Sequence, residues 1–236
     1  MSQHKKHIEA ANGQWSFEGI ASDFDGHIKA SVPLYSEGHQ LICEVSDFFL
    51  PPSALITEIG CSTGQLAHCL LQHHEDRQDL RYVGLDTSAD MLEAATKRVN
   101  ADPRARFIEN SVADYQWQTS SLVVSYYTLQ FVHPRQRQLV IDAIYQNLEW
   151  GGALVLFEKV RAPDARFQDM SVQLYNDYKL RQGFSEREIS NKSRSLKGVL
   201  EPFSTQGNLD MLTRAGFVDV MSIAKWVCFE GFLAIK

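Results

Sequence analysis

The sequence predicts an α/β fold with a mostly parallel seven-stranded sheet, helices on both faces and an antiparallel edge strand. Apolar runs alternate with helical patterns between residues 54 and 157, which is typical of parallel strands joined by helical crossovers. A glycine-bearing turn joins the first run to the helix that follows it. Two strand-like runs end the chain with too few residues between them for a crossover, which makes them antiparallel neighbours at one edge.

Two helical patterns precede the sheet, at residues 17–28 and 36–50. Pro33 separates them, and Pro51 with Pro52 stops the second, because proline lacks the amide that a helix interior needs. We expect residues 1–50 to form a helical cover over the ligand site.

The first five strands and their helices follow in alternation. The strands are predicted at residues 54–59, 81–85, 106–108, 121–125 and 153–157. Between them, one helix begins after the turn at residue 65, a second has Ser88 as its N-cap, and a third is opened by Pro134 and ended by Gly151 and Gly152.

The end of the chain departs from this alternation. Residues 161–200 are helical without a strand, with Ser185 and Glu188 spaced as a capping box, and we interpret them as a lid over the substrate. A last helix and two strands are predicted at residues 208–215, 217–224 and 226–235. The whole chain, residues 1–236, is predicted to be one domain.

The turn containing Gly60 and Gly64 lies where a doubly wound sheet holds a nucleotide cofactor. Glycines permit tight turning and close approach of a ligand. Asp86, 22 residues beyond Gly64 at the end of the next strand, can accept hydrogen bonds from both ribose hydroxyls. The turn and Asp86 therefore predict a cofactor that carries adenosine. The helix that follows Asp86 puts Met91 near it.

The patterns that the turn lacks narrow the choice of cofactor. Neither the three-glycine dinucleotide fingerprint nor a P-loop lysine is present. Glu58 would repel a pyrophosphate but suits a cationic ligand. The pattern Glu58-x-Gly60-x-x-x-Gly64 resembles the first motif of class I S-adenosylmethionine-dependent methyltransferases, which implies a Rossmann-like fold and S-adenosyl-L-methionine as cofactor. A glycine turn in another α/β protein is the weaker alternative, because Asp86 stands at the expected distance.

Composition excludes several classes. Twenty-nine acidic against 23 basic residues give a formal charge of −6, and no long Lys/Arg run is present, so direct binding of nucleic acid is not expected. Hydrophobic residues make up 44% of 236 positions, enough for a substantial core. Residues 1–12 are polar, and no apolar stretch approaches the roughly 20 residues that span a bilayer, so we expect a cytoplasmic protein without a membrane segment.

No metal is predicted. Cys43, Cys61, Cys69 and Cys228 show neither a C-x-x-C pair nor zinc-like spacing with histidine, and we interpret them as reduced thiols, with Cys61 in the turn chosen for packing. His73-His74-Glu75-Asp76 could suggest ligands, but adjacent side chains on one turn seldom converge on one ion. A solvated loop at a helix end is the preferred interpretation.

A wider resemblance covers nearly the whole chain. The segments that carry it are Ser31-Val32-Pro33-x-Tyr35-Ser36, Gly60-Cys61-Ser62, Thr128-Leu129-Gln130-Phe131, Ile144-Tyr145-Gln146, Gly151-Gly152-Ala153-Leu154-Val155-Leu156, Ser185-Glu186-x-Glu188-Ile189-Ser190 and Ala215-Gly216-Phe217. They resemble the carboxy-S-adenosylmethionine synthase family. The resemblance implies the class I methyltransferase fold, a homodimer, and conversion of S-adenosylmethionine with prephenate into a carboxylated sulfonium used to modify the tRNA wobble uridine.

The resemblance also implicates cofactor residues by position. These are Tyr35, Gly60, Cys61, Ser62, Asp86, Thr87, Ser111 and Val112. Reasoning from the strands agrees for Ser111 and Val112, which follow the third strand where an adenine would lie, and adds Tyr126 after the fourth strand, near the methionine part. The alternatives are a packed aromatic ring at Tyr35 and plain core at Val112.

Two positions depart from the synthase family. Tyr126 stands where the family has an asparagine, and Ser193 stands where it has the arginine that pairs with the transferred carboxylate. Arg194 is adjacent, but a shift of one residue on a helix turns a side chain by about 100°. Arg194 is therefore either a substrate-binding cation or a solvated surface charge.

The candidates for chemistry come from the strand ends and the lid. Catalytic candidates are Tyr126, His133, Tyr175 and Tyr178, and substrate-binding candidates are Tyr127, Glu158 and Arg194. His133 precedes Pro134 and has helix capping as its alternative. Tyr175 and Tyr178 are three residues apart on one helix face, where core packing is equally expected.

These observations predict an S-adenosylmethionine-dependent methyltransferase acting on a small molecule, with no nucleic-acid or membrane partner. Methyl transfer needs little from the protein beyond holding the acceptor in line with the activated methyl group, and a base only where the nucleophile must lose a proton. Carboxy-S-adenosylmethionine synthesis is the alternative, and a non-catalytic cofactor-binding subunit is a second one.

Overall fold

A computed structural model describes residue 13 and residues 16–236 of the chain. One seven-stranded sheet has the order β3-β2-β1-β4-β5-β7-β6. The strands are β1 (Leu55–Ile59), β2 (Arg81–Asp86), β3 (Ala105–Glu109), β4 (Ser120–Tyr126), β5 (Leu148–Lys159), β6 (Asp219–Trp226) and β7 (Phe229–Ile235). The first five are parallel, and β7 runs antiparallel to both β5 and β6. The predicted α/β fold with an antiparallel edge is confirmed.

Eight α-helices in the described part of the chain surround this sheet. They are α1 (Ala21–Ser31), α2 (Tyr35–Ser46), α3 (Gln65–His73), α4 (Ala89–Arg98), α5 (Pro134–Asn147), α6 (Ala165–Arg181), α7 (Glu186–Ser195) and α8 (Thr205–Ala215), and a short 3-10 helix spans Leu129–Phe131. The first two lie near their predicted positions, although α1 begins at Ala21 rather than residue 17 and α2 ends at Ser46 rather than residue 50. No helix among the described residues is long and apolar enough to span a membrane.

The predicted helix stop at Gly151 and Gly152 is wrong. Helix α5 ends at Asn147, and Leu148 already pairs with Ser120 of β4. Gly151 has φ +79°, and its N–H donates to the carbonyl of Lys236 over 2.9 Å. The two glycines therefore bend a long strand, because β4 and the chain end supply the backbone partners.

The sheet separates two apolar clusters. Every residue of β1 and β4 is buried. Ile56 and Val124 belong to the cluster that packs under α2 and α3, whereas Ile59 and Leu154 belong to the cluster that packs under α5 and α8. Burial on both faces fixes the register of the central strands, and therefore where their carboxyl ends lie.

Residues 161–204, here called the α6–α7 segment, leave and rejoin the body at one point. Arg161 and Ser204 form an isolated parallel bridge, and the Arg161 N–H donates to the carbonyl of Phe203 over 2.9 Å. Ser185 and Glu188 form the predicted capping box at the start of α7. Helix α6 buries none of its residues, unlike the helices against the sheet.

Candidate active site

The turn between β1 and α3 allows a ligand to approach the backbone closely. Gly60 has φ +69°, and a Cβ there would lie 2.2 Å from Oγ1 of Thr128. Gly64 has φ +71°, and a Cβ there would lie 2.8 Å from the Cβ of Ala95. A side chain at either position would be strained and would collide with a neighbour. The turn therefore forms a cradle that only glycine can line at these two points.

Asp86 is held beside this cradle by backbone amides. Its Oδ2 accepts from the N–H of Ser62 over 2.9 Å and its Oδ1 from the N–H of Ser88 over 3.1 Å. Burial raises the pKa of Asp86, and these amide bonds oppose that rise. Each oxygen keeps a lone pair that a ribose hydroxyl could use. The Ser62 hydroxyl also lies 3.5 Å from Sδ of Met91, so three predicted cofactor residues meet here.

A cleft of about 1240 Å³ runs from the cradle to α6 and α7. Predicted cofactor residues that line it are Tyr35, Glu58, Gly60, Cys61, Ser62, Asp86, Thr87, Met91, Ser111, Val112 and Tyr126. Gly64 lies behind the cradle against Ala95. The cleft also includes Asn110, a residue that sequence reasoning missed, whose N–H donates to the Asp86 carbonyl over 3.0 Å. The volume suffices for a nucleoside cofactor together with a small acceptor.

The charge state of Glu58 differs from the one that the sequence suggested. The side chain is 3% exposed, and the hydroxyl of Tyr82 donates to its carboxylate. Burial raises the pKa of Glu58 to about 8, and the Tyr82 bond limits the rise. In the protein alone Glu58 is thus largely protonated at neutral pH. A cation in the cleft would favour its ionised form.

Tyr126 packs as a structural aromatic residue as well as lining the cleft. Its hydroxyl donates to the carbonyl of Tyr35 over 2.7 Å. Its ring lies 5.1 Å from the Tyr35 ring and 5.0 Å from the Phe157 ring. Burial raises its pKa. These contacts join α2 to the sheet and oppose use of Tyr126 as a proton acceptor.

The backbone after β4 carries strain at the cleft. Tyr127 has φ +59°, which non-glycine residues seldom adopt. Its N–H donates to the Phe157 carbonyl over 2.8 Å, and its own carbonyl accepts from Nε2 of Gln130 over 3.0 Å. Tyr127 lines the cleft as predicted, whereas Thr128 and Gln130, which hold this bend, were not among the predicted site residues.

The predictions that Glu158 and Tyr178 line the cleft are wrong, because both side chains face away from it. Glu158 does not line the cleft: it is 2% exposed on the other face of β5 and accepts from the N–H of Gln130 over 3.3 Å. Tyr178 does not line it either, because its ring packs edge-on against Trp226 at 5.2 Å. Strand alternation turns Glu158 away, and the outer face of α6 carries Tyr178.

His133, Tyr175 and Arg194 do line the cleft. Nδ1 of His133 accepts from the N–H of Arg135 over 3.3 Å, so the capping alternative holds while the ring still borders the cleft. The Tyr175 hydroxyl donates to the carbonyl of Ser31 over 2.9 Å and joins α6 to the end of α1. Arg194 is exposed.

Two lysines were missed by the sequence reasoning. Lys159 ends β5 and Lys179 lies in α6, and both line the cleft. Their Nζ atoms lie 4.4 Å and 4.3 Å from the centre of the Tyr175 ring. A charged residue at the carboxyl end of a buried strand was the available signal for Lys159, whereas no local pattern marks Lys179.

Away from the cleft, His73 and His74 gather with Asp47, which the sequence interpretation of a solvated loop did not expect. Nε2 of His73 lies 2.9 Å from Oδ1 of Asp47, and Nε2 of His74 lies 2.7 Å from Oγ of Ser46. The three candidate ligand atoms lie within 4.8 Å of one another. Nε2 of His74 is thus already hydrogen-bonded to Ser46. Burial, followed by His73, lowers the pKa of His74, and Asp47 opposes the shift.

A family model described as a methyltransferase domain matches residues 56–152. Curated carboxy-S-adenosyl-L-methionine synthases match almost end to end: the one from Campylobacter lari is 36% identical over 94% of this chain and 95% of its own length. The synthase from Staphylococcus epidermidis is 34% identical over 94% of this chain and 97% of its length.

The chain belongs to the carboxy-S-adenosyl-L-methionine synthase family. Membership confirms the predicted class, an enzyme of the S-adenosyl-L-methionine-dependent methyltransferase superfamily, and the predicted cofactor. The glycine cradle and Asp86 fit that cofactor, since the turn admits a close ligand and the carboxylate faces the position of a ribose.

Solved structures support the fold of this synthase family member. An O-methyltransferase family protein from Burkholderia thailandensis aligns with a TM-score of 0.65 at 17% identity, over 92% of this chain. This chain spans 59% of that protein. An N-methyltransferase from Bradyrhizobium japonicum, solved with S-adenosyl-L-homocysteine, aligns with a TM-score of 0.57 at 16% identity over 88% of each chain.

Proposed function

We propose that this enzyme makes a carboxylated sulfonium from S-adenosylmethionine and prephenate. The observation that carries the proposal is the extent of the match to the curated synthases. The methyltransferase domain model ends at residue 152, but the 94% coverage by the synthases cannot leave out the α6–α7 segment. That segment forms the wall of the cleft opposite the cradle, where a second substrate would lie. The likeness therefore includes the part that would select this substrate.

The chain's own residues have separate roles in this proposal. The protein backbone at Gly60 lets the cofactor approach closely, and Asp86 binds its ribose. When bound, the cofactor supplies an activated methyl group on a cationic sulfur. Tyr127 and Phe229 line the same cleft between this end and Tyr175, and their rings pack together at 5.7 Å.

A second candidate function is ordinary methyl transfer to a small-molecule acceptor. Ser193 favours it: the side chain is exposed in α7 and neutral where the synthase family has an arginine. A serine offers one neutral hydrogen bond, whereas a guanidinium offers a bidentate, charge-assisted pair with a carboxylate. The Tyr126 hydroxyl, already donated to Tyr35, likewise does not replace an asparagine amide.

One incubation separates the two functions. The purified protein is given S-adenosylmethionine with and without prephenate, and the nucleosides are analysed by mass spectrometry. The proposal expects a carboxylated nucleoside that forms only with prephenate. If no such nucleoside forms, while S-adenosylhomocysteine accumulates when a panel of small acceptors is added, methyl transfer is the function.

Ser193→Arg tests how the site neutralises a carboxylate. We expect the variant to bind the carboxylated sulfonium roughly tenfold more tightly than wild type, with little change for S-adenosylmethionine, because a guanidinium adds a charge-assisted pair. Ser36→Arg is the matched control, because Ser36 is an exposed serine that does not line the cleft. Equal gains in both variants would show a general effect of added charge.

We further propose that the enzyme is a cytoplasmic homodimer that acts on a small molecule and does not contact nucleic acid. All four cysteines are free thiols, which suits a reducing compartment. Helix α6 exposes Phe167, Met170 and Leu174 at helical spacing and buries no residue, which suits a contact with a second copy. Light scattering on the eluted protein tests the dimer directly.

A further inference from the structure

Three elements bring lysines to one wall of the cleft. Lys159 comes from the end of β5, Lys179 from α6 and Lys192 from α7, and all three line the cleft. The first two approach one aromatic ring, that of Tyr175, to within 4.4 Å of its centre. Lys179 follows Tyr175 by four residues, so the helix itself places its ammonium over the ring.

The charged side chains that act on Lys159 and Lys179 are positive. Within residues 16–236, no carboxylate forms an ion pair with Lys159 or Lys179. The charged or titratable neighbours that act on them are Arg161, Lys192, the thiol of Cys228 and each other. Burial and Lys159 together lower the pKa of Lys179 to about 8. Among the described residues, Lys159 and Lys179 thus approach one ring without a paired carboxylate, in a chain whose net charge is −6.

The Tyr175 ring, which Lys159 and Lys179 both approach, is fixed and lies close to the cofactor end of the cleft. The Tyr175 hydroxyl is bonded to the Ser31 carbonyl, and its ring contacts Phe229 at 5.1 Å. Phe229 in turn contacts Tyr127 at 5.7 Å, and the next residue, Thr128, touches the cradle at Gly60. The lysines thus lie two ring contacts from the bend that borders the cofactor.

We propose that Lys159 and Lys179, with the ring of Tyr175, form the binding subsite for a carboxylate of an unsaturated or aromatic small acid. The subsite rests on the proposed function, because it gives that reaction its anionic substrate. Two ammonium groups supply the charge-assisted hydrogen bonds that Ser193 cannot supply. The rings of Tyr127 and Phe229, which also line the cleft, offer apolar surface to the carbon skeleton. Lys159 and Lys179 are thereby specificity-determining residues of the cleft.

The test measures preference for charge at constant shape. Phenylacetate and phenylacetamide are titrated into protein saturated with S-adenosylhomocysteine, and their affinities are compared by calorimetry. Wild type is expected to prefer the carboxylate at least tenfold. Lys159→Met and Lys179→Met should each reduce the preference to threefold or less, and Lys179→Arg should retain it because the charge remains.

Lys97→Met is the matched control, since Lys97 is exposed, is paired with Glu93 and is not among the residues that line the cleft. S-adenosylhomocysteine affinity and the thermal midpoint are measured for every variant to separate misfolding from loss of the subsite. An equal preference in wild type and both methionine variants overturns the proposal, and so does a wild type without any preference.

The same variants distinguish this subsite from the proposed function. Loss of the carboxylate preference in the methionine variants, with no carboxylated nucleoside from the wild type, would keep the subsite and reject the synthase activity. A carboxylated nucleoside formed by the variants with unchanged kcat and KM for prephenate would keep the activity and reject the subsite.

Discussion

The cradle between β1 and α3 and the α6–α7 segment border the same cleft but are held in different ways. The cradle is fixed by main-chain bonds: the Cys61 N–H donates to the Leu85 carbonyl, and the Ser62 N–H donates to Asp86. Helix α6 buries no residue. It is joined to the rest by Tyr175, by the packing of Tyr178 on Trp226 and by the bridge between Arg161 and Ser204.

This difference separates binding of the cofactor from selection of the second ligand. A site fixed by main-chain geometry binds one cofactor in one position and tolerates little change, because each substitution alters the backbone path. A segment held by a few side chains can change its ligand while the sheet stays intact. The following predictions test whether the two sides of the cleft behave so differently.

Gly60→Ala is expected to have the largest effect. The added Cβ meets Thr128, and φ +69° disfavours alanine, which together cost roughly 3 kcal/mol or about a hundredfold in cofactor affinity. Calorimetry with S-adenosylhomocysteine measures it. Gly183→Ala in the α6–α7 segment is the control, since φ is +90° there but no atom lies within 4 Å of the new Cβ. Similar losses of affinity in both variants would contradict the comparison.

Asp86→Ala should weaken cofactor binding by roughly 1.5–3 kcal/mol, because a charged acceptor for the ribose hydroxyls is lost. The Ser62 and Ser88 amides would also lose their partner. Asp86→Asn, which keeps one oxygen, should fall between alanine and wild type in the same titration. Unchanged affinity in Asp86→Ala would remove this residue from the site.

Raising the pH from 7 to 9 should lower the affinity for phenylacetate by up to about tenfold. Lys179 has a pKa near 8, so its ammonium is present below that pH and is lost above it, and the affinity falls with the charge. Lys192, Lys159 and Cys228 face the same group and also titrate, which broadens the profile. Lys179→Arg should flatten it, because arginine keeps its charge. A steep profile in that variant would assign the effect to another group.

Tyr175→Phe is expected to have the smallest effect on the whole protein. Loss of the bond to Ser31 should lower the free energy of unfolding by about 1 kcal/mol, while S-adenosylhomocysteine affinity stays within twofold. Tyr178→Phe is the matched control, because the Tyr178 hydroxyl makes no hydrogen bond with another described residue. Denaturant unfolding and calorimetry measure the two quantities. A large fall in cofactor affinity would show that the α6–α7 segment also supports the cradle.

The same contrast explains what the sequence could predict. The cradle, Asp86 and Met91 were predictable, because the spacing of the glycines and the position of Asp86 at the end of the next strand can be read directly from the sequence. The antiparallel edge was also predictable, since the short link between β6 and β7 leaves no alternative.

The remaining site depended on tertiary packing. Glu158 was assigned to the cleft although Phe157 and Lys159 face the opposite way, and attention to strand alternation would have corrected it. Tyr178 could not be separated from Tyr175 by helical spacing alone. Lys159 and Lys179 stand 20 positions apart in the sequence, and only the packing of α6 against β5 and β7 brings them to one ring.

The bridge and the hydrogen bond that join Arg161 to Ser204 and Phe203 bear on how such enzymes evolve. The ends of the α6–α7 segment touch, and the entropy of closing such a loop grows only slowly with its length, so added residues cost little. Helices can be lengthened, exchanged or replaced between these ends while the register of β5 and β7 is preserved. The α6–α7 segment can therefore be exchanged as one unit. One cofactor-binding scaffold can in this way acquire new substrates by recombination as well as by point mutation.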